Sequence, residues 1–293
     1  MEKQEPRIVL ITGASAGIGA AIACRLASDG YRVFGTTRRL ANLEKAPPDL
    51  AAAMAEAAPS SATAPRYPVR FVELDVTKPE SVQKCVNQVI TEAGRIDVLI
   101  NNAGYGTFGP VEELPVEMAQ KLFDTTVFGP LRMIQAIAPA MRQRRQGLVI
   151  NITSIAGRVV IPFQSHYSAA KAALEALTIG LRQELRPFGV SVAILEPSDI
   201  NTRFNDVTEF SPLTETAYRQ TEPCWKAIAE NLPKAPPPSV VAAKVSSILR
   251  HKKQKVMYTC GIVLQRAAPI VLRNLPKRME LAITRLFYGL GGK

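Results

Sequence analysis

The stretch that decides the fold is Ile8-Val9-Leu10-Ile11-Thr12-Gly13-Ala14-Ser15-Ala16-Gly17-Ile18-Gly19. Four consecutive apolar residues suit a strand buried on both faces, as in a parallel sheet between two helix layers. The glycines that follow stand in a G-x-x-x-G-x-G pattern. Such a turn lets the backbone come close to a phosphate. A helix opening near Gly17 then aims its unpaired N–H groups and positive dipole end at the same point. Glycines alone specify only a tight turn. Between a strand and a helix they specify a cradle for a dinucleotide pyrophosphate.

The surrounding chain supplies that context. Short β-branched runs at 7–12, 32–36, 69–74, 98–101, 147–152 and 191–195 alternate with helical segments near 17–28, 79–93, 116–142 and 165–186. Alternation at this spacing predicts an α/β, Rossmann-like, doubly wound parallel sheet with helices on both faces. Residues 41–68 are rich in alanine and proline. They read as a flexible surface excursion holding a short helix near 49–57. Beyond residue 200 the alternation stops. Residues 201–235 read as a substrate loop. Prolines 236–238 open a helix over 240–250, and a strand at 255–259 closes the sheet. The expected organisation is one domain over 1–260 with a C-terminal extension over 261–293.

The second strand ends in Gly35-Thr36-Thr37-Arg38-Arg39, with no acid. A carboxylate there would hold a ribose 2′-hydroxyl and repel a 2′-phosphate, whereas a guanidinium binds that phosphate in a fork. Thr37 and Arg38 therefore predict NADP(H) over NAD(H). The competing reading is that Arg38 and Arg39 are surface charges at a helix start. Farther on, Tyr167-Ser168-Ala169-Ala170-Lys171 places a phenol and an ammonium one helical turn apart on one face. An ammonium beside a phenol favours the phenolate and is expected to lower its pKa. Such a tyrosine exchanges a proton with a carbonyl oxygen. Ser154 follows the strand at 147–152, where open α/β sheets place ligands, and its hydroxyl suits positioning of a substrate oxygen.

Taken with Asp75-Val76 and Asn101-Asn102-Ala103-Gly104, these segments resemble the short-chain dehydrogenase/reductase family, members acting on steroids, retinoids or lipid ketones among them. The resemblance runs over residues 7–202. It implies that Gly13, Ser15, Gly17, Ile18 and Gly19 line the pyrophosphate loop. Asp75 and Val76 then touch adenine, and Asn102, Ala103 and Gly104 support the cofactor-side strand end. Tyr167 is the general acid or base, and Lys171 holds the nicotinamide ribose. Pro197, Ile200 and Thr202 lie beside the nicotinamide amide. Two departures stand out. Thr126 occupies the place of an asparagine that the family uses in a proton relay, and Ser198 follows Pro197 where glycine is usual.

Composition bounds the partners. The 293 residues are 47% apolar and carry a net charge of +11, which suits a folded domain with anionic partners or a solvated basic surface. No nucleic-acid-binding motif is present. The four cysteines are far apart and lack histidine partners at metal spacing, so neither a metal site nor a disulfide framework is expected. A reducing, cytoplasmic setting follows. No apolar run reaches spanning length. Phe204, Val207, Phe210, Leu213, Tyr218 and Trp225 read either as an apolar substrate lining or as ordinary core. The tail over 261–290 mixes apolar residues with Arg266, Arg273, Lys277, Arg278 and Arg285. It reads as an amphipathic segment for peripheral membrane contact, or as a helix docked on its own domain or on a partner. The expected function is an NADP(H)-dependent oxidoreductase of a lipophilic ketone or secondary alcohol, working as a homodimer or homotetramer. The alternatives are an NADP(H)-binding sensor of weak turnover and a membrane-associated scaffold.

Overall fold

The computed structural model describes residues 5–43, 67–212 and 217–290. The expected helix near 49–57 and Leu213 lie outside them. Strands β1 (Ile8–Ile11), β2 (Arg32–Thr37), β3 (Arg70–Glu73), β4 (Val98–Asn101), β6 (Gly147–Ile152), β7 (Val190–Pro197) and β9 (Met257–Cys260) form one parallel sheet. Their order is β3-β2-β1-β4-β6-β7-β9. The chain winds outward from β1 in one direction and from β4 in the other, so the crevice between these two strand ends is the topological switch point. Two short strands, β5 (Thr107–Phe108) and β8 (Glu209–Phe210), pair separately outside the main sheet.

Each face of the sheet buries its own core. On one side α1 (Gly17–Ser28) and α7 (Ser239–Arg250) cover Val9, Ile11, Val33, Ile100 and Ile150. On the other, α2 (Pro79–Ala93) and α4 (Gly129–Gln143) cover Leu10, Phe34, Leu99 and Val149. Neighbours along β1 thus point into opposite cores. This explains why the strand is apolar at every position rather than at alternate ones.

The helix expected over 116–142 is divided. α3 (Val116–Phe123) runs into a π-helical turn, Asp124–Phe128, before α4 begins. Gly129 and Pro130 mark the join. Pro130 has no N–H to donate back into the preceding turn, so a regular α ladder through this point loses a bond. The wider turn carries Thr126 at its centre. The next long helix, α5 (Ser165–Leu185), places Tyr167 and Lys171 in its first turns. After β8 come α6 (Thr221–Asn231), α7 and β9. The tail forms two helices, α8 (Val263–Arg273) and α9 (Lys277–Phe287), separated at Asn274-Leu275-Pro276. All four cysteines are buried and unpaired, and burial raises every thiol pKa.

Candidate active site

The strand ends at the switch point are tied before any ligand is considered. Thr12 Oγ1 accepts from the backbone N–H groups of Asn102 and Ala103 at 2.9 and 3.0 Å. Asn102 Nδ2 donates to the carbonyls of Thr12 and Gly13. The turn after β1 is thereby stitched to the end of β4. A Cβ built on Gly19 would lie 2.2 Å from the Gly13 carbonyl oxygen and 2.6 Å from Asn102 Nδ2. Only glycine fits where α1 packs this closely on the turn.

The cradle suits a dinucleotide. Gly13 and Gly17 adopt positive φ, +66° and +51°, which opens the loop toward the cleft at little steric cost. Ala16 gives α1 no side-chain cap, and its first turn carries no acid. An anion is the complement of such a helix start. One cavity of about 1180 Å³ is lined by Gly13, Ser15, Gly17 and Ile18, then by Thr37, Arg38, Asp75 and Val76, and then by Asn102, Ala103 and Gly104. It continues past Ser154, Tyr167 and Lys171 to Pro197, Ile200 and Thr202. Gly19 and Thr126 stand behind this wall, not on it. Arg38 is exposed at the end of β2. Asp75 accepts from the N–H and hydroxyl of Thr77 at 2.9 and 2.7 Å. Burial opposes its ionisation, but these bonds and the nearby Arg38 hold its pKa below the ordinary carboxylate value.

Ser154 caps a short turn by accepting from the Ala156 N–H at 3.1 Å. Its hydroxyl also hydrogen-bonds the Tyr167 phenol. Lys171 is buried, donates to the Ile152 carbonyl at 3.0 Å, and lies 5.7 Å from the Tyr167 ring centre. The expected drop in the Tyr167 pKa is not found. Burial pushes it up to about 12, against the pull of the Ser154 bond and with added repulsion from Asp199. Desolvation instead brings Lys171 down to about 8. Its ammonium points to a strand-end carbonyl and does little for the phenol. Thr126 Oγ1 is buried and makes no hydrogen bond among the described residues. Both it and Lys171 Nζ come within 3.8 Å of the space a side chain on Gly104 would fill.

Several supports escaped sequence reading. Asn101 Nδ2 donates to Asn151 Oδ1, and Asn151 Nδ2 donates to Thr178 Oγ1, both at 2.8 Å. This buried chain fixes α5 to β4 and β6, and so aims Lys171. Beneath the site, fully buried Glu196 meets Arg158 at 3.4 Å and also faces Glu175. Burial first, and then the Glu175 charge, raise its pKa to about 7 despite Arg158. Ser198, the departure from glycine, accepts from the Ile262 N–H at 2.8 Å. Asp199 and Gln265 pair reciprocally: the Asp199 N–H donates to Gln265 Oε1 at 3.0 Å, and Gln265 Nε2 donates to Asp199 Oδ2 at 2.5 Å. The loop after β7 is thus sewn to α8.

The apolar residues of 201–235 divide into two groups. Phe204 sets its ring against Tyr167, centroids 5.5 Å apart, and with Val207 lines the cavity. Phe210, Tyr218 and Trp225 instead join Phe108 and Phe163 in an aromatic cluster outside it. Those three pack ring on ring at the surface, with Phe210 exposed and Tyr218 and Trp225 half-buried. Aromatic character could not separate the groups, because ring packing and substrate contact call for the same residue types.

Comparison with known proteins fits this geometry. The sequence profile described as short chain dehydrogenase matches residues 7–210. The chain belongs to the short-chain dehydrogenase/reductase family. Like its family members, it is an oxidoreductase by descent and by fold. It is 34% identical to the 3-ketodihydrosphingosine reductase of Bacteroides thetaiotaomicron over 290 residues, covering 98% of this chain and 99% of that protein. It is 38% identical to human retinol dehydrogenase 8 over 202 residues, 68% of this chain and 60% of that protein. An alcohol dehydrogenase from the archaeon Thermococcus sibiricus, solved in complex with 5-hydroxy-NADP, superposes with a TM-score of 0.69. That match is at 27% identity over 88% of this chain and 97% of the other.

Proposed function

We propose that this chain is an NADP(H)-dependent reductase of a lipophilic ketone, with a long-chain amino ketone of the sphingoid type as the first candidate substrate. The observation that carries the reading is one continuous cavity. It has a phosphate cradle and Arg38 at one end, the Ser154–Tyr167 pair in the middle, and apolar walls at the other. Its 1180 Å³ exceeds the roughly 300–1,000 Å³ of an ordinary one-ligand pocket, which leaves room for a dinucleotide and a long substrate together. The sphingoid choice is supported by the Bacteroides relative, whose similarity runs the full length of the chain. The retinol dehydrogenase match stops at about two thirds of it.

The fork of Arg38 engages a 2′-phosphate, and no carboxylate at the end of β2 opposes it. The N–H groups at the α1 start and in the 13–19 loop hold the pyrophosphate. Asp75 and Val76 border the adenine, and Pro197, Ile200 and Thr202 border the nicotinamide. When bound, the nicotinamide supplies hydride to the ketone carbon or takes it from the alcohol. Ser154 and Tyr167 converge on the substrate oxygen. Tyr167, held protonated by burial, gives its proton to that oxygen as negative charge develops there. Lys171 fixes the ribose and lends positive charge beside the phenol once the site is filled. Thr126 offers a hydroxyl where the family places an amide. A route for protons behind Lys171 therefore keeps an oxygen, which favours turnover over a silent sensor. The exposed Phe128, Leu177 and Ile179 on the π turn and α5 supply an apolar surface for a homodimer or homotetramer.

The test is NADPH oxidation against long-chain amino ketones, ketosteroids and retinal, with Tyr167→Phe alongside. The variant is expected to lose at least ~10²-fold in kcat, the usual share of a positioned acid, while still binding NADPH. Turnover that survives the change, or a wild type inert to every ketone, would sink the proposal.

A further inference from the structure

The two C-terminal helices are amphipathic in the unusual sense that each turns an apolar stripe to solvent. On α8 the exposed positions Val263, Leu264, Ile270 and Val271 recur at helical spacing, with 54–76% of each surface open. On α9 Met279, Ile283, Leu286 and Phe287 do the same, at 45–77%. A stripe of one such helix is ordinary. Two adjacent stripes make a patch of the kind that marks a contact surface. Arg273, Arg278 and Arg285 are exposed on the same two helices, and Arg266 is half-buried against Thr259. The single acid of this region, Glu280, is taken up by Lys277 at 2.9 Å. Arg273 and Arg278 have no ion pair among the described residues.

The patch is continuous with the catalytic cavity. Leu264, Val271, Ile283 and Phe287 belong to the exposed stripes and also line the cavity that reaches Ser154 and Tyr167. The apolar patch and the cavity therefore share α8 and α9 as a border, and exposed cations stand on the same two helices. No helix among the described residues is long and apolar enough to cross a membrane. A surface of this chemistry matches the interface of an anionic bilayer, where apolar side chains reach the acyl boundary and cations meet headgroup phosphates.

We infer that the α8–α9 face docks on an anionic phospholipid bilayer, and that the lipophilic substrate passes from that bilayer directly between the two helices to Tyr167. The docking stands on the surface alone. The route of the substrate rests on the function proposed above.

Flotation of the full chain with vesicles of equal parts phosphatidylcholine and phosphatidylglycerol, against phosphatidylcholine alone, tests the docking. The wild type should float only with the anionic vesicles. Ile270→Glu with Leu286→Glu, and separately Arg278→Glu with Arg285→Glu, should each lower the bound fraction on the order of tenfold or more. None of these four residues lines the cavity, and unchanged unfolding midpoints would show that the variants fold. A wild type that stays in the bottom fraction, equal flotation with neutral vesicles, or variants that float like wild type would each overturn the inference. So would a dimer that the same variants dissociate without any vesicle binding, which would assign the face to a second copy. In a second arm, a long-chain ketone delivered in anionic vesicles should be reduced poorly by the variants but normally when dispersed in detergent micelles. A wild type inactive on every ketone refutes the function, not the docking. Equal activity of wild type and variants on the vesicle-borne ketone refutes the route.

Discussion

At the scale of single residues, the site separates what charge does from what burial does. Tyr167 and Lys171 share a helix face, as their spacing requires, yet their titration is set by desolvation. With the phenol raised to about 12 and the ammonium lowered to about 8, reduction has both protons in place below about pH 8. The kcat/KM for ketone reduction should hold level up to about pH 8 and fall above it, as Lys171 loses its charge. Alcohol oxidation, which needs the phenolate, should rise with pH over the same range. Rate profiles in both directions check this, and a reduction profile level to about pH 10 contradicts it. Arg38 makes a second residue-scale prediction. Arg38→Asp replaces the fork we propose for the 2′-phosphate with a repelling charge, so the Kd for NADPH should rise by roughly 10–100-fold with little change for NADH. Titration of cofactor fluorescence reads both.

At the scale of elements, the buried carboxylate of β7 tests how the site is supported. Glu196 has a folded-state pKa raised to about 7 from the ordinary 4.5. Its acid form therefore steadies the fold at pH values below the unfolded value, and that contribution is lost as pH rises through about 7. Glu196→Gln removes the charge, so it should raise stability at about pH 8 by on the order of 1–2 kcal/mol, less than burial alone suggests because Arg158 loses a partner. The gain should vanish near pH 4.5. Denaturant titrations at the two pH values decide the matter, and a variant less stable at both would show that Arg158 dominates. Legibility also differs by element. The core strands could be read because a short run that is apolar at every position, closed by glycines, fits a strand buried on both faces and little else. The divided helix at Asp124–Phe128 could not, since its apolar period carries straight through Pro130. The Asn101–Asn151–Thr178 chain was equally hidden. Each polar residue looks like an ordinary strand end or helix face until the register of β4 against β6 brings the two amides side by side. Phe204 and Trp225 were indistinguishable for a related reason: which ring reaches Tyr167 depends on a loop without periodicity.

At the scale of the molecule, the tail beyond β9 is part of the cavity wall as well as its outer surface. Gln265 is the joint. Gln265→Ala breaks both of its bonds to Asp199 and loosens α8 from the loop after β7, leaving the Ser198 bond to Ile262 in place. The KM for a long-chain ketone should then rise about tenfold with kcat little changed, the mark of lost uniform binding, while a short ketone is unaffected. Steady-state kinetics on the two substrates check this, and equal effects on both would mean that the joint serves the chemistry instead. The same joint has a kinetic meaning. The strip from Pro197 to Thr202 lines the cavity on the side we assign to the dinucleotide, and through Ser198 and Asp199 it is fastened to the helix that borders the apolar end. The two proposed occupants would thus share a common partition. With the proposed dinucleotide and ketone on its two sides, this shared partition leads us to expect a fixed order, dinucleotide first to come and last to go.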